Sequence, residues 1–262
     1  MAILAPDALA GRVVAVTGAA RGIGAGIVEA VLEAGGSAVL IDLDRTGATD
    51  TAGQLDPSGS RTLVVSADVT DPASLQAACD AAVARFGALH GFVNNAGIVR
   101  MVPAEAITAE GWDLEFAVNA RGVLLGAQAA YRAFAGRGGG IVNIASNAGK
   151  VGFPNMAAYN ATKAAVINLT RSLAKEWAKD NVNVNAVCPG SVATPMLREV
   201  AAVLEREGKG DAATLFAGMV PSQLGRHVTP LEIGRVVAFL LTDAAHIIRG
   251  QAINLDGGET PY

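Results

Sequence analysis

Cysteine is almost absent from this chain: Cys79 and Cys188 are the only two, 109 positions apart and without partners at metal-ligand spacing. That excludes a disulfide scaffold and a zinc site, and both thiols are expected to be reduced and packed in the core. Charge is also scarce, at 17% of residues with a net charge of −4, and the Lys and Arg residues are scattered. No basic stripe is available to neutralise a row of phosphates, so nucleic acid is excluded as a partner. No charge-free apolar run reaches the ~18 residues that cross a bilayer, and the opening MAILAPDALAGR lacks the basic start and apolar run of a signal peptide. A soluble cytoplasmic protein with no membrane partner is expected.

What the chain has instead is apolar residues, 51% of its 262, together with 31 glycines. This suits an interior-rich α/β protein, and the length lies near the upper size of one hydrophobic core, so residues 1–262 are expected to form a single domain. Short β-branched runs alternate with stretches of helical period. The strand candidates are Arg12 to Val16, Ser37 to Ile41, Arg61 to Ser66, Gly91 to Val93, Gly140 to Ile144, Asn183 to Val187 and Ala252 to Leu255. The first helix runs from Ile23 to Ala34 and stops at Gly35-Gly36. Because the strands are near-continuous apolar runs, both faces should be covered by helices, which predicts a doubly wound, seven-stranded parallel sheet of the Rossmann type. Met196 to Gly225 breaks the rhythm with LEREGKGD and no strand, and reads as an insertion, a lid over a site.

The first strand leads into Thr17-Gly18-Ala19-Ala20-Arg21-Gly22-Ile23-Gly24. Glycines there permit positive φ and close backbone approach, and the free amides and dipole of the following helix attract a pyrophosphate. The G-x-x-x-G-x-G spacing differs from the general G-x-G-x-x-G dinucleotide fingerprint, and taken alone it is also what a tight strand-to-helix turn looks like. Asp42 ends the second strand, 24 residues after Gly18, where a carboxylate can accept the hydroxyls of an adenosine ribose.

With these features the sequence resembles the short-chain dehydrogenase/reductase family over essentially its whole length. Further matches are Asp68-Val69, Asn95-Ala96-Gly97 within Asn94 to Gly97, Pro189-Gly190, and Asp256-Gly257-Gly258. The resemblance implies a nicotinamide cofactor held by Gly18, Arg21, Gly22, Ile23, Gly24, Asp42, Asp68, Val69, Asn95, Ala96, Gly97, Pro189, Gly190, Val192 and Thr194, with Tyr159 and Lys163 also touching it. Its catalytic set maps onto Asn119, Ser146, Tyr159 and Lys163, at spacings of 27, 13 and 4 residues. Each of these is unremarkable alone; the joint spacing is what carries the likeness.

Tyr159 and Lys163 stand four apart and so share a helix face. A phenol with its ordinary pKa near 10 is a poor base at neutral pH, but an ammonium ~4 Å away at an effective dielectric of about 20 is worth roughly 4 kcal/mol, or about 3 in pKa. The phenol is therefore expected to be brought toward neutrality. By the resemblance, Lys163 would hold the nicotinamide ribose, Ser146 would hydrogen-bond the substrate oxygen, and Asn119 would tie a water to the proton path.

Asn147 and Phe153 lie between Ser146 and Tyr159 and are candidates for the substrate pocket. Asp42 followed by Leu43, with no base, favours NAD over NADP, although Arg21 pulls the other way. The long segment after Thr194 is similar in length and position to the lid of polyol and acetoin dehydrogenases. The expected activity is thus NAD-dependent exchange of a hydride with a secondary alcohol or its ketone, on a small-molecule substrate such as a sugar alcohol or acyloin. The alternatives are a 3-oxoacyl-(acyl-carrier-protein) reductase-like ketoreductase and a non-catalytic NAD(H) sensor. A homo-oligomer, a tetramer by family analogy, is expected.

Overall fold

A computed structural model describes residues 4–262. The strands are β1 (Val13–Thr17), β2 (Ser37–Asp42), β3 (Thr62–Ser66), β4 (Gly91–Asn94), β5 (Gly139–Ile144), β6 (Val182–Pro189) and β7 (Ala252–Leu255). The helices are α1 (Gly22–Glu33), α2 (Arg45–Leu55), α3 (Pro72–Phe86), α4 (Ala109–Phe116), α5 (Gly122–Phe134), α6 (Ala157–Glu176), α7 (Pro195–Arg206), α8 (Ala212–Gly218) and α9 (Pro230–Leu240). A π turn, Ala117–Arg121, joins α4 to α5.

All seven strands pair in parallel, in the order β3-β2-β1-β4-β5-β6-β7. The apolar runs are continuous because both faces are buried. Val14 and Val16 pack into one core with Ile27 and Val31 of α1 and Val237 of α9. Val13 and Ala15 pack into the opposite core with Ala78 of α3 and Ala130 of α5. This is the doubly wound Rossmann-type sheet that the sequence predicts.

The order reverses between β1 and β4, so the loops at their carboxyl ends diverge and open a crevice there. Four strands run past the apolar stretches that mark them in the sequence, to Thr17, Asp42, Asn94 and Pro189. The ladder continues although apolarity stops, and of these extra residues Asp42 and Pro189 line the crevice while Thr17 and Asn94 are buried. Thr17 fastens the two diverging strands: its Oγ1 accepts from the Asn95 and Ala96 amides at 2.9 and 3.1 Å and donates to the Val93 carbonyl.

Residues 196–225 contain α7 and α8, which the sequence reading passed over. Their start signals are local. Thr194 caps α7 through the Leu197 amide with Pro195 at its first turn, and Asp211 caps α8 through the Thr214 amide.

Candidate active site

The crevice is a cleft of about 1020 Å³. At its nucleotide end, Gly18 and Gly22 adopt φ of 64° and 60°, which side chains disfavour. A Cβ on Gly18 would lie 2.8 Å from the Ala96 Cα. Arg21 precedes α1 without making a side-chain cap, so the first-turn amides remain available to an anion. Arg21 itself is exposed. Asp42 is held from behind: Oδ2 accepts from the Ala20 amide at 2.8 Å and Oδ1 from the Asp44 amide at 2.9 Å. Two carboxylate oxygens offer about four acceptor positions, so capacity is left for ribose hydroxyls.

Of the residues singled out in the sequence, the cleft gathers Gly18, Arg21, Gly22, Ile23, Asp42, Asp68, Val69, Asn95, Ala96, Gly97, Ser146, Asn147, Phe153, Tyr159, Lys163, Pro189, Gly190, Val192 and Thr194 along its walls. Gly24 and Asn119 stand behind them. Gly24 is buried, and a Cβ there would overlap the Gly18 carbonyl, so its part is to let helix and turn pack together. The Asn95 amide is spent on the Thr17 and Gly18 carbonyls, both at 2.9 Å, and shapes the turn from within.

Asn119 is fully buried in the π turn. Its side chain pairs with the backbone of Ile98, Oδ1 accepting from the amide and Nδ2 donating to the carbonyl, each at 2.8 Å. It thereby ties the loop after β4 to α6, where Nδ2 also reaches Thr162 Oγ1 at 3.3 Å. A π turn is the means by which an extra residue is accommodated without breaking the helix, and such turns gather at functional sites.

Ser146 follows β5, and Tyr159 and Lys163 lie in the first two turns of α6; all three are buried. The Ser146 hydroxyl accepts from the Ala148 amide at 3.1 Å and donates to Asn147 Oδ1 at 3.3 Å. Lys163 Nζ donates to the Ile144 carbonyl at 2.8 Å and stands 5.6 Å from the centre of the Tyr159 ring. The expected acidification of the phenol is not found in the free protein. Burial pushes Tyr159 up to about 12, with the Ser146 hydroxyl acting the other way and Glu115 adding to the rise. The same burial brings Lys163 down to about 8. Sequence spacing reports that the two groups are neighbours, but not that both lie in a desolvated wall where each charge is penalised.

Beyond this cluster the cleft is bordered by Phe153 and by α7 and the end of α8, which contribute Met196, Leu197, Val200, Leu204 and Met219. Glu259, from the segment after β7, also lines it, and its Oε2 accepts from Asn147 Nδ2 at 3.2 Å. Sequence reasoning missed Glu259. Nothing local marks it beyond its place immediately after the recognised Asp256-Gly257-Gly258.

A family model described as Enoyl-(Acyl carrier protein) reductase matches residues 18–260. The chain is a short-chain dehydrogenase/reductase. Among its relatives is 2-(S)-hydroxypropyl-CoM dehydrogenase 3 of Xanthobacter autotrophicus, 39% identical over 96% of this chain and 98% of that protein. D-threitol dehydrogenase of Mycolicibacterium smegmatis is 38% identical, over 96% of this chain and 94% of its own. A crystal structure of levodione reductase superposes with a TM-score of 0.88 at 32% identity, covering 96% of this chain and 98% of the other. As a short-chain dehydrogenase/reductase with these relatives, the protein is an oxidoreductase acting on CH–OH groups with a nicotinamide cofactor. The crevice of this dehydrogenase fits such a cofactor: positive-φ glycines and uncapped amides suit a pyrophosphate, and Asp42 suits a ribose. Among the described residues no helix is long and apolar enough to cross a membrane, and no cluster of His, Cys, Asp and Glu could hold a metal.

Proposed function

We propose that this dehydrogenase uses NAD to interconvert a small uncharged secondary alcohol, a polyol or acyloin, with its ketone. The observation that carries this reading is the convergence of Ser146, Tyr159 and Lys163 on a cleft that Met196, Leu197, Val200 and Leu204 of α7 also line. The activity that D-threitol dehydrogenase carries in its name supports the polyol class.

Held there, a nicotinamide would supply the hydride chemistry between the carbinol carbon and the ketone. The chain does the rest. The α1 amides and Gly18 to Gly22 would hold the pyrophosphate, Asp42 the adenosine ribose, and Lys163 the nicotinamide ribose. Val192 and Thr194 would face the carboxamide. Ser146 releases Asn147 Oδ1 to donate to the substrate oxygen, and Tyr159 takes the proton of that oxygen during oxidation and gives it back during reduction. The apolar side chains that α7 contributes would lessen the water around the substrate.

Asp42 supports NAD over NADP. A 2′-phosphate would bring its charge against a carboxylate that two backbone amides hold in place, while the next residue, Leu43, is exposed and offers no compensating charge. Like charges in a partly buried crevice cost several kcal/mol, and ~1.4 kcal/mol is tenfold in affinity. The test is absorbance at 340 nm over a panel of alcohols with each cofactor. NAD should win by about 10² or more in kcat/KM, and Asp42→Ala should narrow the gap. Equal or better kcat/KM with NADP refutes the role of Asp42; NADH binding with no turnover of any alcohol would point to a sensor instead.

A further inference from the structure

We propose that Glu259 and Asn147 form a substrate-reading pair that favours an uncharged substrate carrying a second hydroxyl beside the reacting carbinol and disfavours anionic hydroxy acids. The inference rests on the proposed alcohol dehydrogenase reading and names its substrate class.

Glu259 is connected to the reacting centre by one side chain. Ser146 Oγ donates to Asn147 Oδ1 at 3.3 Å, and Asn147 Nδ2 donates to Glu259 Oε2 at 3.2 Å. Asn147 is 4% exposed, so its amide is fixed between the two. Among the described residues Glu259 Oε1 makes no hydrogen bond within the chain, although Glu259 lines the cleft. A carboxylate oxygen is acceptor-only, so the complementary ligand group is a hydroxyl or amine hydrogen.

The segment that carries Glu259 is pinned on both sides. Asp256 accepts from the amides of Gly258 and Thr260 at 3.1 and 2.9 Å, and Gln223 Nε2 donates to the Gly258 carbonyl at 2.8 Å. A Cβ on Gly190 would stand 2.9 Å from Glu259 Oε2 and 2.7 Å from Asp256 Cβ, so the missing side chain there is what lets the carboxylate come in.

The charge lining the cleft agrees. Its basic groups are Arg21, at the nucleotide turn, and Lys163, which is buried on the Ile144 carbonyl. From α7 the cleft receives Glu199, while Arg198 of the same helix stacks on Phe216. A carboxylate or sulfonate on the substrate would meet Glu259 and Glu199 with no cation provided for it. The carboxyl of Glu259, on an exposed residue, is raised by partial desolvation on the cleft side and by nearby Asp256, with the Asn147 bond opposing.

The test compares kcat/KM with NAD for 2,3-butanediol, 2-butanol and 3-hydroxybutyrate, in the wild type and in Glu259→Gln and Glu259→Ala. Each preparation is read as a ratio between substrates, so a general loss of activity cancels, and NADH fluorescence titration checks that the cofactor site is formed. The wild type should favour the diol over 2-butanol, and over the hydroxy acid, by about tenfold or more, as a site that hydrogen-bonds a substrate hydroxyl discriminates against its absence. Both variants should cut the diol preference to about threefold or less and raise the relative rate on the hydroxy acid about tenfold. Ratios unmoved within about twofold in both variants, with 2-butanol oxidised, overturn the role of Glu259 alone. If wild type oxidises neither butanol nor the diol, the alcohol class itself falls, and this inference with it.

Discussion

Tyr159 meets the cleft with its phenol held protonated, because burial lifts it to about 12 in the free protein. A protonated phenol is ready to donate to the oxygen of a ketone but must lose its proton before it can act on an alcohol. Below about pH 8, where Lys163 keeps its ammonium, kcat/KM for reduction is therefore expected to be flat, whereas oxidation climbs with pH. Lys163 stands 5.6 Å from the ring centre, where a unit charge in an effective dielectric near 20 would be worth ~3 kcal/mol, about 2 in pKa, if it acts on the phenol. Removing the ammonium raises the phenol further, so Lys163→Met should move the rising limb of the oxidation profile toward higher pH. An unmoved limb would mean that Lys163 does not act on the phenol. Tyr159→Phe removes the proton carrier and leaves the cofactor wall formed, so turnover should fall by ~10² to 10⁴ while NADH binding survives. A folded variant that keeps more than about a tenth of the rate would refute the assignment.

At the scale of elements, α1 and α9 cross where two glycines meet. A Cβ on Gly234 of α9 would overlap the Gly26 carbonyl, and one on Gly26 would overlap the Pro230 backbone. Helical glycine costs about 1 kcal/mol relative to alanine, so its use at a crossing shows that the close approach is worth more than the propensity lost. Gly53 of α2 is the contrasting case, with nothing within 4 Å of an added Cβ. In urea unfolding, Gly234→Ala should destabilise the protein by about 3 kcal/mol, whereas Gly53→Ala should be stabilising by ~0.5 to 1 kcal/mol. The same shift for both would show that α1 and α9 do not meet at this distance. The capping signals of α7 and α8 were legible in Thr194-Pro195 and Asp211, had those residues been read as helix starts. The π turn was not, because Asn119 there answers to the Ile98 backbone, which sequence spacing does not reveal.

For the molecule as a whole, the sheet with its covering helices is a closed body, and residues 196–225 are less firmly attached to it. Ala201 is the one buried residue of α7, and α8 buries none. Segments with few buried apolar contacts open at low free energy, and lids are drawn from them. Amides of 196–225 should exchange with solvent faster than those of the strands in the free protein, and slow when NAD and a substrate alcohol are bound. Exchange as slow as in the strands, and unaffected by ligands, would exclude a closing lid.

The sequence by itself determined the parallel sheet and the crevice. Val13 to Val16 and the runs like it can be satisfied only with both faces covered, and a strand, a glycine turn and a helix in succession leave an anion site at the helix start. The spacing of Tyr159 and Lys163 placed them on one helix face for an equally local reason, whereas Ser146 was expected beside them only through the family resemblance. Tertiary structure alone decided how those groups are charged, since desolvation depends on what packs around Tyr159 and Lys163 and not on the four residues between them. It alone brought Glu259 to Asn147 across 112 positions and set Gly234 against Gly26 while leaving Gly53 free. In each case the deciding quantity is a distance between distant parts of the chain, and the chain reaches it only when the sheet has closed.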